Sequence, residues 1–158
     1  MKAGIVILST RSSRGEREDL STPTLIETLS SMGFVVAGSY LIEDSTEKLK
    51  NLLIKMVDED KLDLIITSGG TGLSPLDVTP EGTLMVLDRE AKGIAEAIRI
   101  HSLKYTPMAM LSRGVAGIRN SSLIINLPGS PRAIKEILEF LHPAIMHALP
   151  IIQGKIIE

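Results

Sequence analysis

The run Thr67-Ser68-Gly69-Gly70-Thr71-Gly72, with Asp77 close behind it, combines residue types suited to handling phosphate. Glycines allow left-handed or cramped backbone, so successive amides can converge on an anion. Asp77 stands where a carboxylate can hold the metal that accompanies a polyphosphate. The same glycines also make a tight strand-to-helix turn, and the local sequence leaves both readings open. Thr79-Pro80-Glu81 opens a helix immediately afterwards, with Thr79 placed to cap it. That leaves Asp77 without an obvious structural duty.

Two further segments carry residues of similar character. Asp44-Ser45-Thr46-Glu47 has the pattern of a capping box, so the local reading of Asp44 is the N-cap of the next helix. Ser130 before Pro131 is likewise an N-cap, yet helix-terminal amides beside Pro128-Gly129 suit an anion equally well. Arg11, Arg14, Glu16, Arg17, Glu18 and Asp19 form a mixed charge run, which reads as a solvated loop. Other chemistries find no support. The glycine run lacks a following GK[ST] and does not match GxGxxG, and no serine lies in a G-x-S-x-G elbow. His101, His142 and His147 lack metal-ligand spacing, and the methionines, Met108 and Met110 among them, read as core filler.

The elements that must position these residues alternate along the chain. Ile5-Val6-Ile7-Leu8 is apolar on both faces, the mark of a buried parallel strand. Arg11 to Leu20 reads as loop, followed by a helix from Ser21 or Thr22 that stops at Gly33. Phe34 to Leu41 offers a second strand. Leu49, Leu52, Leu53, Met56 and Val57 then give a helix one apolar face. Leu64-Ile65-Ile66 is a third strand, Thr79 to about Leu87 and Gly93 to Leu103 are helical, and Leu123-Ile124-Ile125 is another buried strand. Ser130-Pro131 begins a helix carrying Ile134, Ile137, Leu138 and Leu141. This order implies a single α/β domain over residues 1–158, with a mostly parallel sheet covered by helices on both faces. Ligands of such sheets lie beyond the carboxyl ends of the strands. Ser9 to Asp19, Glu43-Asp44, Ser68 to Asp77 and Asn126 to Pro131 all leave such ends, which gathers the candidate residues on one rim.

Composition narrows the classes of function. The 158 residues are 44% hydrophobic and 23% charged, a globular balance. A formal net charge of -2, two Phe, two Tyr and no Trp give no electrostatic or stacking basis for nucleic-acid binding. With no cysteine there is no disulfide or thiolate chemistry. No secretory signal pattern or membrane-length apolar segment is present, and the expectation is a cytoplasmic protein without membrane association.

Taken together, the loops resemble the MogA/MoaB-type molybdenum-cofactor biosynthesis family. The likeness runs through Ser9-Thr10-Arg11 to Gly15, Asp19 to Pro23, Asp44, Thr67 to Gly72, Asp77 to Glu81, Met110 to Gly117 and Asn126 to Pro131. The resemblance implies a three-layer α/β/α sandwich assembled as a homotrimer, or as a hexamer of two trimers. Other cofactor-biosynthesis proteins are its expected partners. It further implies a nucleotidyltransferase: ATP and molybdopterin give adenylylated molybdopterin and pyrophosphate, with Mg²⁺ and no tightly bound organic cofactor. By matching motif, Asp44 and Asp77 become the catalytic and metal-holding acids, so the family likeness overrides the capping assignment of Asp44. Ser68, Gly69, Gly70, Thr71 and Gly72 would meet nucleotide phosphate. Pro128, Gly129, Ser130, Ser112 and Arg113 would contact molybdopterin. Three positions depart from the common pattern: Thr10 where Asp is frequent, Thr22 where Gly is common, and Leu76 where Arg is frequent. These departures keep a second expectation in view, a catalytically silent molybdopterin-binding or scaffold protein of the same fold.

Overall fold

The computed structural model describes residues 1–155, so residues 156–158 of the expected domain lie outside the described residues. Its centre is a six-stranded sheet. Strands β1 (Lys2–Leu8), β2 (Val35–Ile42), β3 (Leu64–Ser68) and β6 (Ser122–Leu127) run parallel, while β4 (Arg89–Glu90) and β5 (Ala116–Arg119) form an antiparallel edge, in the order β2-β1-β3-β6-β5-β4. The central strands β1, β3 and β6 are buried almost throughout, as their unbroken apolar runs require.

Alternation along these strands divides the core into two layers. Ala3, Ile5, Ile7, Leu64, Ile66, Leu123 and Ile125 face α2 (Ser21–Ser31) and α6 (Pro131–Ile152), where they meet Leu25, Leu29, Ile134, Ile137, Leu138 and Leu141. Val6, Leu8, Ile65 and Ile124 face the other way, onto Leu49 and Leu53 of α3 (Thr46–Ile54) and Met56 and Val57 of the π-helical turn Lys55–Glu59 that continues it. The helices therefore cover both faces, giving the three layers expected. Among the described residues no helix is long and apolar enough to cross a membrane.

The differences from the sequence-based expectation are local. Ser9 accepts from the Ser12 amide and caps a single helical turn, α1 (Thr10–Ser13), inside the charged stretch expected to be loop. Ser45, not Asp44, caps α3, its hydroxyl accepting from the Lys48 amide at 3.2 Å. Thr79 is the first residue of α4 (Thr79–Leu84) rather than its cap, and α4 ends before Leu87. Helix α5 (Lys92–Ser102) falls where expected, and a 3₁₀ turn at Pro107–Leu111 follows it.

Candidate active site

The chain leaves β1 toward β2 on one side and returns to β3 on the other, so the sheet's switch point lies between β1 and β3. A cleft of about 640 Å³ opens there, beyond the carboxyl ends of both strands. All four predicted loops reach it, contributing Ser9 to Ser12 and Arg17 to Ser21, Asp44, Ser68 to Gly72 with Asp77, and Gly129 to Pro131. Its volume falls in the range of sites that enclose a small molecule.

The glycine turn is anchored by hydrogen bonds to β6 and to the start of α4. Gly69 N donates to the Leu127 carbonyl at 3.1 Å, the Thr79 amide to the Gly70 carbonyl at 3.1 Å, and the Thr79 hydroxyl to the Gly69 carbonyl at 2.9 Å. Gly69 and Gly70 have φ of 92° and 65°, a left-handed backbone that favours glycine. Among the described residues, the amides of Gly70, Thr71 and Gly72 have no protein acceptor. Three adjacent unspent donors in a concave turn make a nest for an anion. The neighbouring loop is tied in through Ser68, whose hydroxyl donates to Pro128 O at 2.9 Å, and through Ser21, whose hydroxyl donates to Gly129 O at 2.9 Å. Ser130 caps α6, its hydroxyl facing the Ala133 amide at 3.4 Å.

Asp44 and Asp77 stand on either side of this nest. A Cβ added at Gly70 would lie 3.1 Å from Asp44 Oδ1, and one added at Gly72 would lie 2.8 Å from Asp77 Oδ2. Each acid has one oxygen engaged. Asp44 Oδ2 accepts from the amide and hydroxyl of Thr10 at 3.0 and 2.8 Å, and Asp77 Oδ2 accepts from the Ser74 amide at 3.1 Å. The Oδ1 atom of each takes no hydrogen bond from the described residues. The described residues contain no cluster of three metal-binding side chains. Two carboxylates with one open oxygen each suit a hard cation that completes its shell with water and phosphate oxygens, as Mg²⁺ does.

Ser112 and Arg113 lie elsewhere. They line a separate depression of about 280 Å³ with Glu90, Lys92, Glu96 and Arg99. Arg113 Nε donates to Gly72 O and Nη2 to Asp77 O, both at 2.8 Å, while Nη1 pairs with Glu81. The hydrogen bond from this guanidinium holds the Glu81 carboxyl below its ordinary range. Arg113 thus braces the nest from outside the cleft. The supporting roles of Thr10 and Ser21 are not visible in the sequence because their partners, Asp44 and Gly129, lie 34 and 108 residues away, while Thr79, expected to cap α4, instead holds Gly69 and Gly70. At the lip of the cleft Leu76 is 69% exposed.

An open, mostly parallel sheet whose switch point gathers free amides and two carboxylates defines an α/β domain with a cleft of small-molecule size. A family model described as a probable molybdopterin binding domain matches residues 4–147. The molybdopterin adenylyltransferase of Helicobacter pylori strain 26695 is 43% identical over 157 residues, covering 98% of this chain and 89% of that protein. The molybdopterin adenylyltransferase of Escherichia coli K12 is 43% identical over 141 residues, covering 88% and 72%. Among solved structures, the molybdopterin biosynthesis enzyme MoaB of Thermus thermophilus superposes with a TM-score of 0.91 at 47% identity, covering 98% of this chain and 97% of that one. The chain belongs to the molybdopterin-binding domain family, the family of these adenylyltransferases.

Proposed function

We propose that this protein is a nucleotidyltransferase of molybdenum-cofactor biosynthesis that transfers the adenylyl group of ATP to molybdopterin. The observation that carries this reading is the pair of carboxylates, Asp44 and Asp77, beside three unspent amides in one cleft, with the open Oδ1 of Asp44 next to Gly70. A terminal phosphate oxygen of molybdopterin attacks the α-phosphorus of ATP, the bond to the bridging oxygen breaks, and pyrophosphate leaves. Such a transfer asks a protein mainly for alignment and charge stabilisation. Gly70, Thr71 and Gly72 orient the nucleotide phosphates through their amides. Gly129 and Ser130, on the loop that packs beside Gly69, would receive the pterin phosphate. Asp44 and Asp77 would hold Mg²⁺, which neutralises phosphate charge when bound. Arg11 and Arg17 line the same wall, beside Glu18 and Asp19.

Met108 and Met110, expected as core filler, are instead exposed, and with Ile100, Leu103, Tyr105 and Leu111 they support assembly of a homotrimer or a hexamer. Sedimentation velocity measures that state. The activity is tested by supplying purified protein with molybdopterin, ATP and Mg²⁺. Release of pyrophosphate with formation of adenylylated pterin is expected. Tight molybdopterin binding without either product would instead establish a binding or scaffold protein.

A further inference from the structure

We propose that Thr10 is a positioning residue that fixes which oxygen of Asp44 faces the substrates. The proposal rests on the adenylyltransferase reading for its kinetic consequence, and on geometry alone for its structural one. Thr10 and Asp44 are joined by three reciprocal hydrogen bonds: the Thr10 amide and hydroxyl both donate to Asp44 Oδ2, and the Asp44 amide donates back to Thr10 Oγ1 at 3.0 Å. A hydroxyl has one proton and two lone pairs, so giving its proton to Oδ2 while accepting from the Asp44 amide fixes its rotor. The scaffold beneath is equally fixed. Ser9 N donates to the Ile42 carbonyl at 3.0 Å, pinning the end of β1 to the end of β2, and Ser9 caps the turn on which Thr10 sits.

The consequence falls on the other oxygen. With Oδ2 occupied by two donors, the carboxylate plane is set, and Oδ1 points to the glycine nest beside Gly70. Asp44 therefore offers one oxygen in one direction. A bidentate or rotating carboxylate would offer its charge over a wider arc and would have to be ordered during turnover. The residue type matters. Valine at position 10 keeps the amide bond but removes the hydroxyl, and a carboxylate there could not donate to Oδ2 when ionised.

The test compares Thr10→Val and Thr10→Ser with the wild type. Thr10→Val is expected to lower kcat for pyrophosphate release about tenfold and to weaken binding of a non-hydrolysable α,β-methylene analogue of ATP with magnesium, measured by calorimetry, by a similar factor, the size of one hydrogen bond to a charged group. The KM for molybdopterin should stay near the wild-type value, the melting temperature within about 3 °C, and Thr10→Ser should restore both affected quantities. Wild-type kcat and nucleotide affinity in Thr10→Val, or equal impairment in Thr10→Ser, would overturn the proposal. Should Thr10→Val fail to fold, Thr10→Ala against Thr10→Ser carries the same comparison. A wild-type protein that releases no pyrophosphate, beside a Thr10→Val variant that still binds the analogue less tightly, would remove the adenylyltransferase reading and leave the positioning role standing.

Discussion

Arg113 Nη2 donates to the backbone carbonyl of Asp77 at 2.8 Å, which makes an arginine outside the cleft the brace of one of its acids. The same guanidinium holds Gly72 O through Nε, and the Arg113 amide donates to Thr71 O at 2.7 Å, so one residue grips the nest and the acid together. A planar fork does this where a lysine ammonium cannot reach all partners in fixed geometry.

Arg113→Lys should therefore lower kcat while leaving the KM for molybdopterin nearly unchanged. A misplacement of about 1 Å at a reacting centre is worth about a hundredfold, and a partial loosening should cost about tenfold or more. Steady-state kinetics decides the matter. A role for Arg113 in contacting the pterin phosphate would appear instead as a raised KM with kcat largely kept.

Gly70→Ala strains the turn at its centre. The left-handed backbone costs a residue with a Cβ about 1–2 kcal/mol, and the added carbon would press on Thr79 and on Asp44 Oδ1. The expected result is a lower melting temperature together with near loss of pyrophosphate release. Turnover close to wild type would show that neither the nest nor the Asp44 oxygen beside it takes part in the reaction.

The central sheet was legible because β1, β3 and β6 are buried on both faces and read as unbroken apolar runs. The antiparallel strands β4 and β5 were not. Arg89–Glu90 is two exposed residues, and Ala116–Arg119 contains Gly117, so neither shows alternation long enough to register. The glycine turn and Asp77 could be read because their own residues lie within one loop. Asp44 could not be read locally, since Ser45 competes for the cap and the decisive partner, Thr10, is 34 residues away. Arg113 was recognised as a phosphate-type side chain, yet its placement depends on carbonyls 36 and 41 residues away. Residue type was visible for both, and partnership was not.

Asn126 tests how the site is supported from the core. Its buried amide donates to the Thr67 and Thr83 hydroxyls at 2.8 and 2.9 Å and accepts from the Val115 amide at 3.1 Å. Asn126→Ala leaves the Val115 amide without its acceptor and opens a cavity between β3, β6 and α4, so a loss of about 2–4 kcal/mol is expected. Urea denaturation should show it as a lower midpoint at unchanged slope. An unchanged midpoint would mean that water or a neighbouring group replaces all three bonds.

The pair Asp58 and Arg119, far from the cleft, predicts a pH dependence of stability with no effect on chemistry. Arg119 Nη2 lies 2.7 Å from Asp58 Oδ2 and Nε 3.1 Å from Oδ1, tying the β5 edge to the π-helical turn. Hydrogen bonding to Arg119, against the opposing effect of burial, holds the Asp58 carboxyl below its ordinary value of 3.8. A folded-state value below the unfolded one stabilises the protein above the unfolded value, and that contribution is lost as pH falls through the folded value. Asp58→Asn should accordingly cost about 1 kcal/mol near neutrality, a hydrogen-bonded ion pair discounted for its partial exposure. The difference between the wild type and Asp58→Asn should shrink as the pH drops below about 4, and turnover at neutral pH should match the wild type. Urea midpoints for both proteins across that range give the measurement, and a gap that stays constant with pH would show that the charge of Asp58 contributes nothing to the fold.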